Sequence, residues 1–144
     1  MEIPMAVRIL CVDDEVNQRS LISYTLLKEG YNVKVAKDGK EALNTIKESI
    51  ELEYNPFELI LLDINMPKMD GFTATKLIRE SEVSTKKHLL IIGVTADALS
   101  SSWEQCREAG MDDIISKPVL LSHINVKLKK WLTPAQTKEN SSNL

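Results

Sequence analysis

The apolar run Leu59-Ile60-Leu61-Leu62 is the feature that most constrains how this chain folds. Four consecutive aliphatic residues without alternation are typical of a strand that is buried on both faces of a parallel sheet. The run stops at Asp63, and Pro67 and Asp70-Gly71 then form a loop before the next helix. Open α/β sheets form their ligand crevice at the carboxyl ends of such strands. Asp63 is therefore a candidate site residue, although acids also end strands as caps or turn residues.

Short apolar segments alternate with segments of helical periodicity along the whole chain. The expected strands are residues 7–12, 31–36, 59–62, 89–94 and 114–115, and the expected helices are residues 17–29, 42–50, 72–80, 98–109 and 121–131. This alternation predicts an α/β fold with a doubly wound, five-stranded parallel sheet and five helices. The expected strand order is the flavodoxin-like order 2-1-3-4-5. The second strand is expected at an edge, and the Glu-rich segment 48–56 is expected to be a loop.

Length and composition limit the classes of function. The 144 residues fit one domain, expected over residues 1–132, with a polar tail over 133–144. The formal net charge of −3 implies no basic surface, so nucleic acid is not an expected partner. No apolar run approaches the ~20 residues of a membrane helix, so we expect no membrane contact by this chain. The start lacks the pattern of a signal peptide, and Cys11 and Cys106 lack metal-ligand spacing, which fits a reducing, cytoplasmic setting.

Polar side chains follow four of the five predicted strands. Asp13 and Asp14 follow the first, Asp63 the third, Thr95 the fourth and Lys117 the fifth. Right-handed crossovers place the carboxyl ends of all parallel strands at one edge of the sheet. The position where the strand order reverses lies beside the first and third strands. We therefore expect these five side chains to converge on one crevice.

Three carboxylates that lie close together repel one another. Two unit charges ~4 Å apart cost about 4 kcal/mol at an effective dielectric near 20, so either a pKa rises or a cation neutralises the cluster. Oxygen ligands without His or Cys favour a hard cation such as Mg²⁺, with Mn²⁺ as an alternative. A cation together with Lys117 would accept a phosphoryl group, with Asp63 as the nucleophile that forms a carboxyl-phosphate anhydride. Thr95 would donate its hydroxyl to a phosphoryl oxygen.

Each of these residues also has a purely structural interpretation. Asp13-Asp14 is also typical of a helix N-cap pair, Thr95 of a single N-cap, and Lys117 before a proline of a surface residue. Several other polar and aromatic residues are not expected in the crevice. Asp112-Asp113 are expected to be loop acids at the opposite edge of the sheet, and Lys127, Lys129 and Lys130 to form the solvated side of a helix. Trp103 and Trp131 are expected to be packing or partner surface, and His88 and His123 fall outside the predicted crevice.

Four sequence blocks resemble the receiver domain of two-component response regulators, the CheY-like superfamily. The blocks are Val12-Asp13-Asp14-Glu15, Leu62-Asp63-Ile64-Asn65-Met66-Pro67-Lys68-Met69-Asp70-Gly71, Val94-Thr95-Ala96 and Ser116-Lys117-Pro118, in that order. The resemblance covers about residues 6–132. The sequence around Gly110-Met111-Asp112-Asp113 is similar to that of receiver domains attached to hybrid histidine kinases.

The resemblance implies a set of roles at the crevice. Asp63 would be phosphorylated by a phosphohistidine of a sensor histidine kinase or a histidine phosphotransfer protein. Asp14 and Asp63 would bind Mg²⁺ directly together with the backbone carbonyl of Asn65, and Asp13 would act mostly through water. Lys117 would pair with the phosphoryl group.

The resemblance also implies how the signal leaves the site. Thr95 would move toward the phosphoryl group, but the family usually has Tyr or Phe where this chain has Ile114. An Ile side chain has no hydroxyl-bearing ring that could move between a solvent-exposed and a buried position. The signalling output of the domain is therefore expected to depend more on docking beside the first helix. Asn65 and Asp97 are placed to influence attacking water and so the lifetime of the phosphate.

Two classes of function follow for the chain. The first is a phosphoacceptor in a two-component system or phosphorelay, which is not a classical enzyme but catalyses its own phosphorylation and dephosphorylation. The alternative is a phosphorylation-independent interaction module on the same fold. A flavin-binding flavodoxin is a third alternative, which the sequence favours least. No effector domain is expected after residue 132, so the chain is either a stand-alone receiver or part of a larger kinase.

Overall fold

The computed structural model describes residues 7–51, 57–66, 69–83, 88–96 and 100–131. Asp97, Pro67, the tail 133–144 and residues 52–56 of the expected loop lie outside the described residues. Strands and helices alternate in the order β1 (Arg8–Val12), α1 (Val16–Lys28), β2 (Asn32–Ala36), α2 (Gly39–Glu51), β3 (Leu59–Asp63), α3 (Gly71–Glu82), β4 (Ile91–Thr95), α4 (Ser100–Ala109), β5 (Asp113–Ser116) and α5 (Leu121–Trp131).

The five strands form one parallel sheet in the order β2-β1-β3-β4-β5. This order confirms the predicted doubly wound α/β fold. β2 is the predicted edge strand, and most of its side chains are at least partly exposed. Every residue of β3 and β4 is buried, as expected for strands covered by helices on both faces.

The two faces of the sheet carry separate apolar cores because side chains alternate along each strand. Ile60 and Leu62 of β3 face a layer with buried residues from α2, α3 and α4. Leu59 and Leu61 face the opposite layer, where α1 and α5 contribute Leu26, Ile124 and Leu128. This arrangement leaves the carboxyl edge of the sheet uncovered for the loops that follow the strands.

The expectation of a loop over 48–56 is wrong at its beginning, because α2 continues to Glu51. Glutamate is a good helix former, and the Ser49 hydroxyl donates to the Ile46 carbonyl oxygen within the helix. Acidic composition was therefore a poor indicator of a helix end.

The expectation that Asp112 and Asp113 are loop acids at the opposite edge holds for Asp112, which precedes β5, and is wrong for Asp113, which is the first residue of β5. The Asp112 carboxylate accepts hydrogen bonds from the Arg79 guanidinium and the Ile91 N–H, both at 2.9 Å, and contacts the His88 ring at 2.7 Å. This cluster connects α3 with β4 and β5, and it places His88 outside the crevice, as predicted.

Asp113 begins β5 and ties α5 to the sheet. Its carboxylate accepts hydrogen bonds from the Lys127 ammonium at 3.0 Å and the Trp131 indole N–H at 2.8 Å. The hydrogen bonds from Trp131, Lys127 and the Ile114 N–H outweigh the effect of burial and lower the pKa of Asp113. Lys127 is therefore not part of a purely solvated helix side, whereas Trp103 packs against the core as expected.

No helix in the described part of the chain is long and apolar enough to cross a membrane.

Candidate functional site

Three carboxylates meet at the carboxyl edge of the sheet. Because Val12 of β1 pairs with Leu62 of β3, the next residues, Asp13 and Asp63, lie side by side. Ligand oxygens of Asp13, Asp14 and Asp63 all lie within 4.8 Å of one another. Asp13 and Asp63 are each only 2% exposed, whereas Asp14 is exposed. The carboxylates therefore form a cluster that is buried on one side and open to solvent on the other.

The turn from β1 into α1 is held by Asp13 and Glu15. The Asp13 carboxylate accepts the Glu15 N–H at 2.9 Å, and the Glu15 carboxylate accepts the N–H groups of Asn17 and Gln18 at 3.1 and 2.8 Å. Glu15 is therefore the N-cap of α1. The interpretation of Asp13-Asp14 as an N-cap pair is wrong, and the Asp14 carboxylate is presented at the cluster instead.

The segment after Asp63 packs tightly against the start of α3. The Asp63 carboxylate accepts the Asn65 N–H at 3.1 Å, and the Gly71 N–H donates to the Ile64 carbonyl oxygen at 3.0 Å. A Cβ atom on Gly71 would lie 2.7 Å from the Asp63 carbonyl oxygen. Asp70 caps α3 by accepting the Thr73 N–H at 2.8 Å. Gly71 therefore allows the close approach that fixes the backbone at Asp63.

Lys117 reaches Asp63 from beyond β5. The Lys117 ammonium nitrogen lies 3.2 Å from an Asp63 carboxylate oxygen. The Lys117 N–H donates to the Thr95 carbonyl oxygen at 2.7 Å, which fixes the Lys117 backbone beside the end of β4. The peptide bond between Lys117 and Pro118 is cis. Lys117 is thus part of the crevice and not a simple surface residue.

Thr95 is buried at the end of β4, at the same edge of the sheet. Because Thr95 is the last residue of β4 and Ala96 after it is not helical, the interpretation of Thr95 as a helix N-cap is wrong. Ile114 is half-buried on β5, packs against the core layer of α2, α3 and α4, and pairs in register with Gly93. Asn65 is exposed just beyond Asp63, and Asp97 lies outside the described residues.

Burial sets the electrostatics of the cluster. It raises the pKa of Asp63 to about 6; the hydrogen bond from Lys117 opposes this shift, and the nearby charge of Asp13 adds to it. Burial also raises the pKa of Asp13. The carboxylates are therefore costly to keep ionised together, and a bound cation would lower that cost.

The donor atoms of the cluster fit a hard divalent cation. Among the described residues, Asp13, Asp14 and Asp63 form a group of three potential metal ligands whose donor atoms lie close together. All of these donors are carboxylate oxygens. Carboxylate and carbonyl oxygens are the ligands that Mg²⁺ and Mn²⁺ prefer. Cys11 lies nearby, but burial raises the pKa of its thiol to about 12, so the thiol stays protonated and is a poor ligand.

The sequence patterns missed an apolar surface beside the crevice. A groove next to Lys117 is lined by Gln18, Leu21 and Ile22 of α1 and by Pro118 and Val119. The exposed apolar side chains of α1 are Val16, Leu21, Tyr24 and Leu27. Leu21 and Tyr24 lie on the face opposite buried Leu26, and Val16 and Leu27 lie between the two faces, so α1 also carries apolar side chains away from the core. Helical periodicity detects the face toward the core and gives little indication of a second one.

Comparison with known proteins identifies similar chains. Residues 9–129 match the family model described as the response regulator receiver domain. The sensor histidine kinase RcsC of Escherichia coli (strain K12) is 41% identical over 133 residues, which is 92% of this chain and 13% of that protein. The chain therefore spans about an eighth of the length of this curated relative.

Solved structures share the fold. The Vibrio cholerae chemotaxis protein CheY4 matches with a TM-score of 0.77 and 29% identity over 89% of this chain and 100% of that one. The Mg²⁺ complex of the receiver domain of the Arabidopsis thaliana histidine kinase CKI1 matches with a TM-score of 0.75 and 34% identity over 85% and 90%. A co-crystal structure of the Saccharomyces cerevisiae histidine phosphotransfer protein Ypd1 with the receiver domain of Ssk1 matches with a TM-score of 0.76 and 27% identity over 90% and 91%.

Proposed function

The chain belongs to the response regulator receiver domain family, and on that premise we propose that Asp63 accepts a phosphoryl group from a phosphohistidine of a partner protein. The observation that carries this proposal is the geometry around Asp63. Its carboxylate lies 3.2 Å from the Lys117 ammonium nitrogen and within 4.8 Å of ligand oxygens of Asp13 and Asp14. A nucleophilic carboxylate, a cationic side chain and a cation-binding cluster are the groups that phosphoryl transfer needs.

In the proposed step, an Asp63 carboxylate oxygen attacks the phosphorus atom of the phosphohistidine. The new O–P bond forms as the P–N bond breaks, and the imidazole leaves with the electron pair of the broken bond as a neutral ring whose other nitrogen carries the proton. The Lys117 ammonium then pairs with a phosphoryl oxygen in place of the carboxylate. The Thr95 hydroxyl donates to another phosphoryl oxygen, for which its place at the end of β4 is suitable.

We assign the cation site to Asp13, Asp14, Asp63 and the backbone carbonyl of Asn65. The fit is chemical, because these oxygen donors suit Mg²⁺, or Mn²⁺, and the similar CKI1 receiver domain is described as a Mg²⁺ complex. When bound, the cation would neutralise the carboxylates and offset the charge of the transferred phosphoryl group. The contribution of the chain is to hold these oxygens together at one edge of the sheet.

The proposed donor is a sensor histidine kinase or a histidine phosphotransfer protein. The similarity to RcsC and to a receiver domain crystallised with the phosphotransfer protein Ypd1 supports this class of partner. The apolar face of α1, formed by Val16, Leu21, Tyr24 and Leu27, is the proposed docking surface. The groove beside it is lined by both Leu21 and Lys117, so a helix docked there would bring its phosphohistidine close to Asp63.

The output of the switch is proposed to depend on Thr95 and on the docking face of α1 more than on Ile114. Ile114 is half-buried in the core and has no polar group to exchange between two positions. Movement of Thr95 toward the phosphoryl group would change the surface of the domain and bias a two-state equilibrium. Asn65 and Asp97 are the proposed determinants of the lifetime of the phosphate, because each lies in the chain two residues after a site residue.

The proposed domain extends over residues 1–132, with 133–144 as a polar tail, and we propose a cytoplasmic location. The chain would not act as a classical enzyme. It would catalyse phosphorylation of its own Asp63 and later hydrolysis of the acyl phosphate, or pass the phosphoryl group on to another histidine.

The experiment that tests this function is labelling by a small radioactive acyl-phosphate donor in the presence of Mg²⁺. We expect an acid-labile label on the wild-type chain, none on Asp63→Asn, and none after the cation is removed with EDTA. Asp70→Asn is the matched control, because Asn caps a helix as well as Asp and the Asp70 carboxylate caps α3 without being a member of the cluster. Label that persists on Asp63→Asn, or wild-type chain that is never labelled, would overturn the proposal, and the second result would favour a phosphorylation-independent interaction module.

A further inference from the structure

Arg19 makes a contact at the site that no pattern in the sequence indicates. It lies in the first turn of α1 and is half-buried. Its guanidinium donates to the backbone carbonyl oxygen of Asp13 at 2.7 Å. The N–H of Asp13 donates to the Ala36 carbonyl oxygen at 3.1 Å. The backbone at Asp13 is therefore held on one side by the sheet and on the other by Arg19.

The contact with the carbonyl of Asp13 determines where Asp14 lies. A peptide unit is planar, so the carbonyl oxygen of Asp13 and the Cα atom of Asp14 belong to one rigid group. A hydrogen bond that fixes this oxygen also fixes the starting point of the Asp14 side chain. Asp14 is the exposed member of the carboxylate cluster, and burial does not restrain it as it restrains Asp13 and Asp63.

The position of Arg19 also explains why a positively charged side chain is tolerated near the start of α1. A cation in the first turn of a helix is unfavourable, because the amino end of a helix carries a partial positive charge. The negative charges of the acidic cluster offset this unfavourable interaction, because they and the positive charge of Arg19 act at the same place, beside Cys11. The charge of Arg19 lowers the pKa of buried Cys11, whereas the charges of Asp13 and Asp63 raise it.

We propose that Arg19 is a positioning residue for divalent-cation binding. It holds the peptide between Asp13 and Asp14 so that the Asp14 carboxylate joins those of Asp13 and Asp63. This inference rests on the cation site of the proposed function. The sign of the effect distinguishes positioning from simple electrostatics. Removal of a positive charge near the site would by itself strengthen cation binding, whereas loss of the positioning contact weakens it.

The test is a calorimetric titration of the full chain with Mg²⁺. Arg19→Met removes the donor and the charge but keeps an apolar stem. We expect the dissociation constant for Mg²⁺ to rise about tenfold, as for other residues that orient metal ligands. The matched control is Lys28→Met, which removes a positive charge from the last turn of the same helix and should leave the dissociation constant unchanged. Unchanged or tighter binding by Arg19→Met would overturn the inference.

A second readout separates positioning from a loss of stability. The Mg²⁺ concentration that gives the half-maximal rate of labelling should rise about tenfold in Arg19→Met, with the maximal rate at saturating Mg²⁺ close to that of the wild type. A purely structural role would lower the unfolding midpoint without this shift. If Arg19→Met does not fold, Arg19→Gln is titrated in its place, because its shorter neutral side chain does not reach the Asp13 carbonyl, and the same loss is expected.

Failure of this inference is distinguishable from failure of the proposed function. If the wild-type chain binds no Mg²⁺, the cation site itself is wrong. If the wild-type chain and Arg19→Met bind Mg²⁺ equally well, only the role of Arg19 is overturned, and the assignment of Asp63 as phosphoacceptor stands on its labelling experiment.

Discussion

The Lys117 ammonium nitrogen lies 3.2 Å from an Asp63 carboxylate oxygen, although the two residues come from the ends of strands that do not pair with each other. Asp63 ends β3 and Lys117 follows β5, with β4 between them in the sheet. The backbone hydrogen bond from Lys117 to Thr95 anchors the lysine beside β4, so its long side chain spans that strand. Lys117 thus compensates part of the charge on Asp63.

Lys117→Ala should separate cation binding from the response to phosphorylation. Removal of a competing positive charge should leave Mg²⁺ affinity unchanged or slightly higher, because Lys117 offers no ligand oxygen. The phosphorylated chain should lose the ion pair with Lys117 and show smaller amide chemical-shift changes outside the crevice. NMR titration with Mg²⁺ and then with a phosphodonor measures both effects. Lys34→Ala on the exposed edge strand is the control, and a loss of Mg²⁺ affinity in Lys117→Ala would contradict this division of roles.

Gly71→Ala should destabilise the fold and disturb the site. The added Cβ would lie 2.7 Å from the Asp63 carbonyl oxygen and 2.8 Å from the Ile64 Cα atom, so the backbone must shift. We expect the free energy of unfolding to fall by about 1–3 kcal/mol, as for other overpacked sites. Mg²⁺ affinity should fall as well.

The control for Gly71→Ala is Gly30→Ala. Gly30 has a φ of +94°, and a Cβ there would meet nothing within 4 Å. Its substitution should cost roughly 1–2 kcal/mol of backbone strain without any change in Mg²⁺ affinity. Equal Mg²⁺ affinity in both variants would show that the backbone at Asp63 tolerates the shift.

Asp113 should stabilise the fold in a pH-dependent way. Its pKa in the folded chain is lowered, so its contribution is present above its unfolded pKa of about 3.9 and is lost as the pH falls through the folded value. Asp113→Asn should lower the free energy of unfolding by about 1–3 kcal/mol near pH 7, because the Lys127 and Trp131 donors lose a charged acceptor.

The difference between Asp113→Asn and the wild type should shrink as the pH is lowered from 7 to below about 3.9, because the carboxyl is protonated first in the unfolded chain and only at lower pH in the folded chain. Urea unfolding followed by tryptophan fluorescence measures it. Glu108→Gln, an exposed acid on α4, is the control and should show little difference at either pH. A difference for Asp113→Asn that does not depend on pH would mean that packing, and not the charge, is responsible.

Leu21→Lys should impair phosphotransfer from a protein donor but not from a small donor. Leu21 is 66% exposed on α1 and lines the groove beside Lys117, so a charge there would oppose docking of an apolar helix face. We expect at least a tenfold loss of the transfer rate from a phosphorylated histidine phosphotransfer protein, within the range of hot-spot substitutions. Val126→Lys, an exposed apolar position on α5, is the control. Equal loss with the small donor would instead indicate damage to the site.

The sequence by itself determined the architecture and the membership of the crevice. Patterns of periodicity are local, and the buried runs that become β3 and β4 lack alternation because both of their faces are covered. The handedness of crossovers then places the ends of all parallel strands at one edge. These rules are sufficient to predict a doubly wound parallel sheet and the approach of Asp13, Asp14, Asp63 and Lys117 at its carboxyl edge.

Only the tertiary structure decided which partner each polar side chain takes. Glu15 and not Asp13-Asp14 caps α1, Arg19 holds the Asp13 carbonyl, and Asp113 pairs with Lys127 and Trp131 of α5. These contacts join segments whose relative placement depends on packing of the whole chain, and several candidate partners are compatible with each acid in the sequence. Hydrogen bonds act over about 3 Å, so a small difference in helix placement selects one partner over another. Periodicity carries no information at that scale.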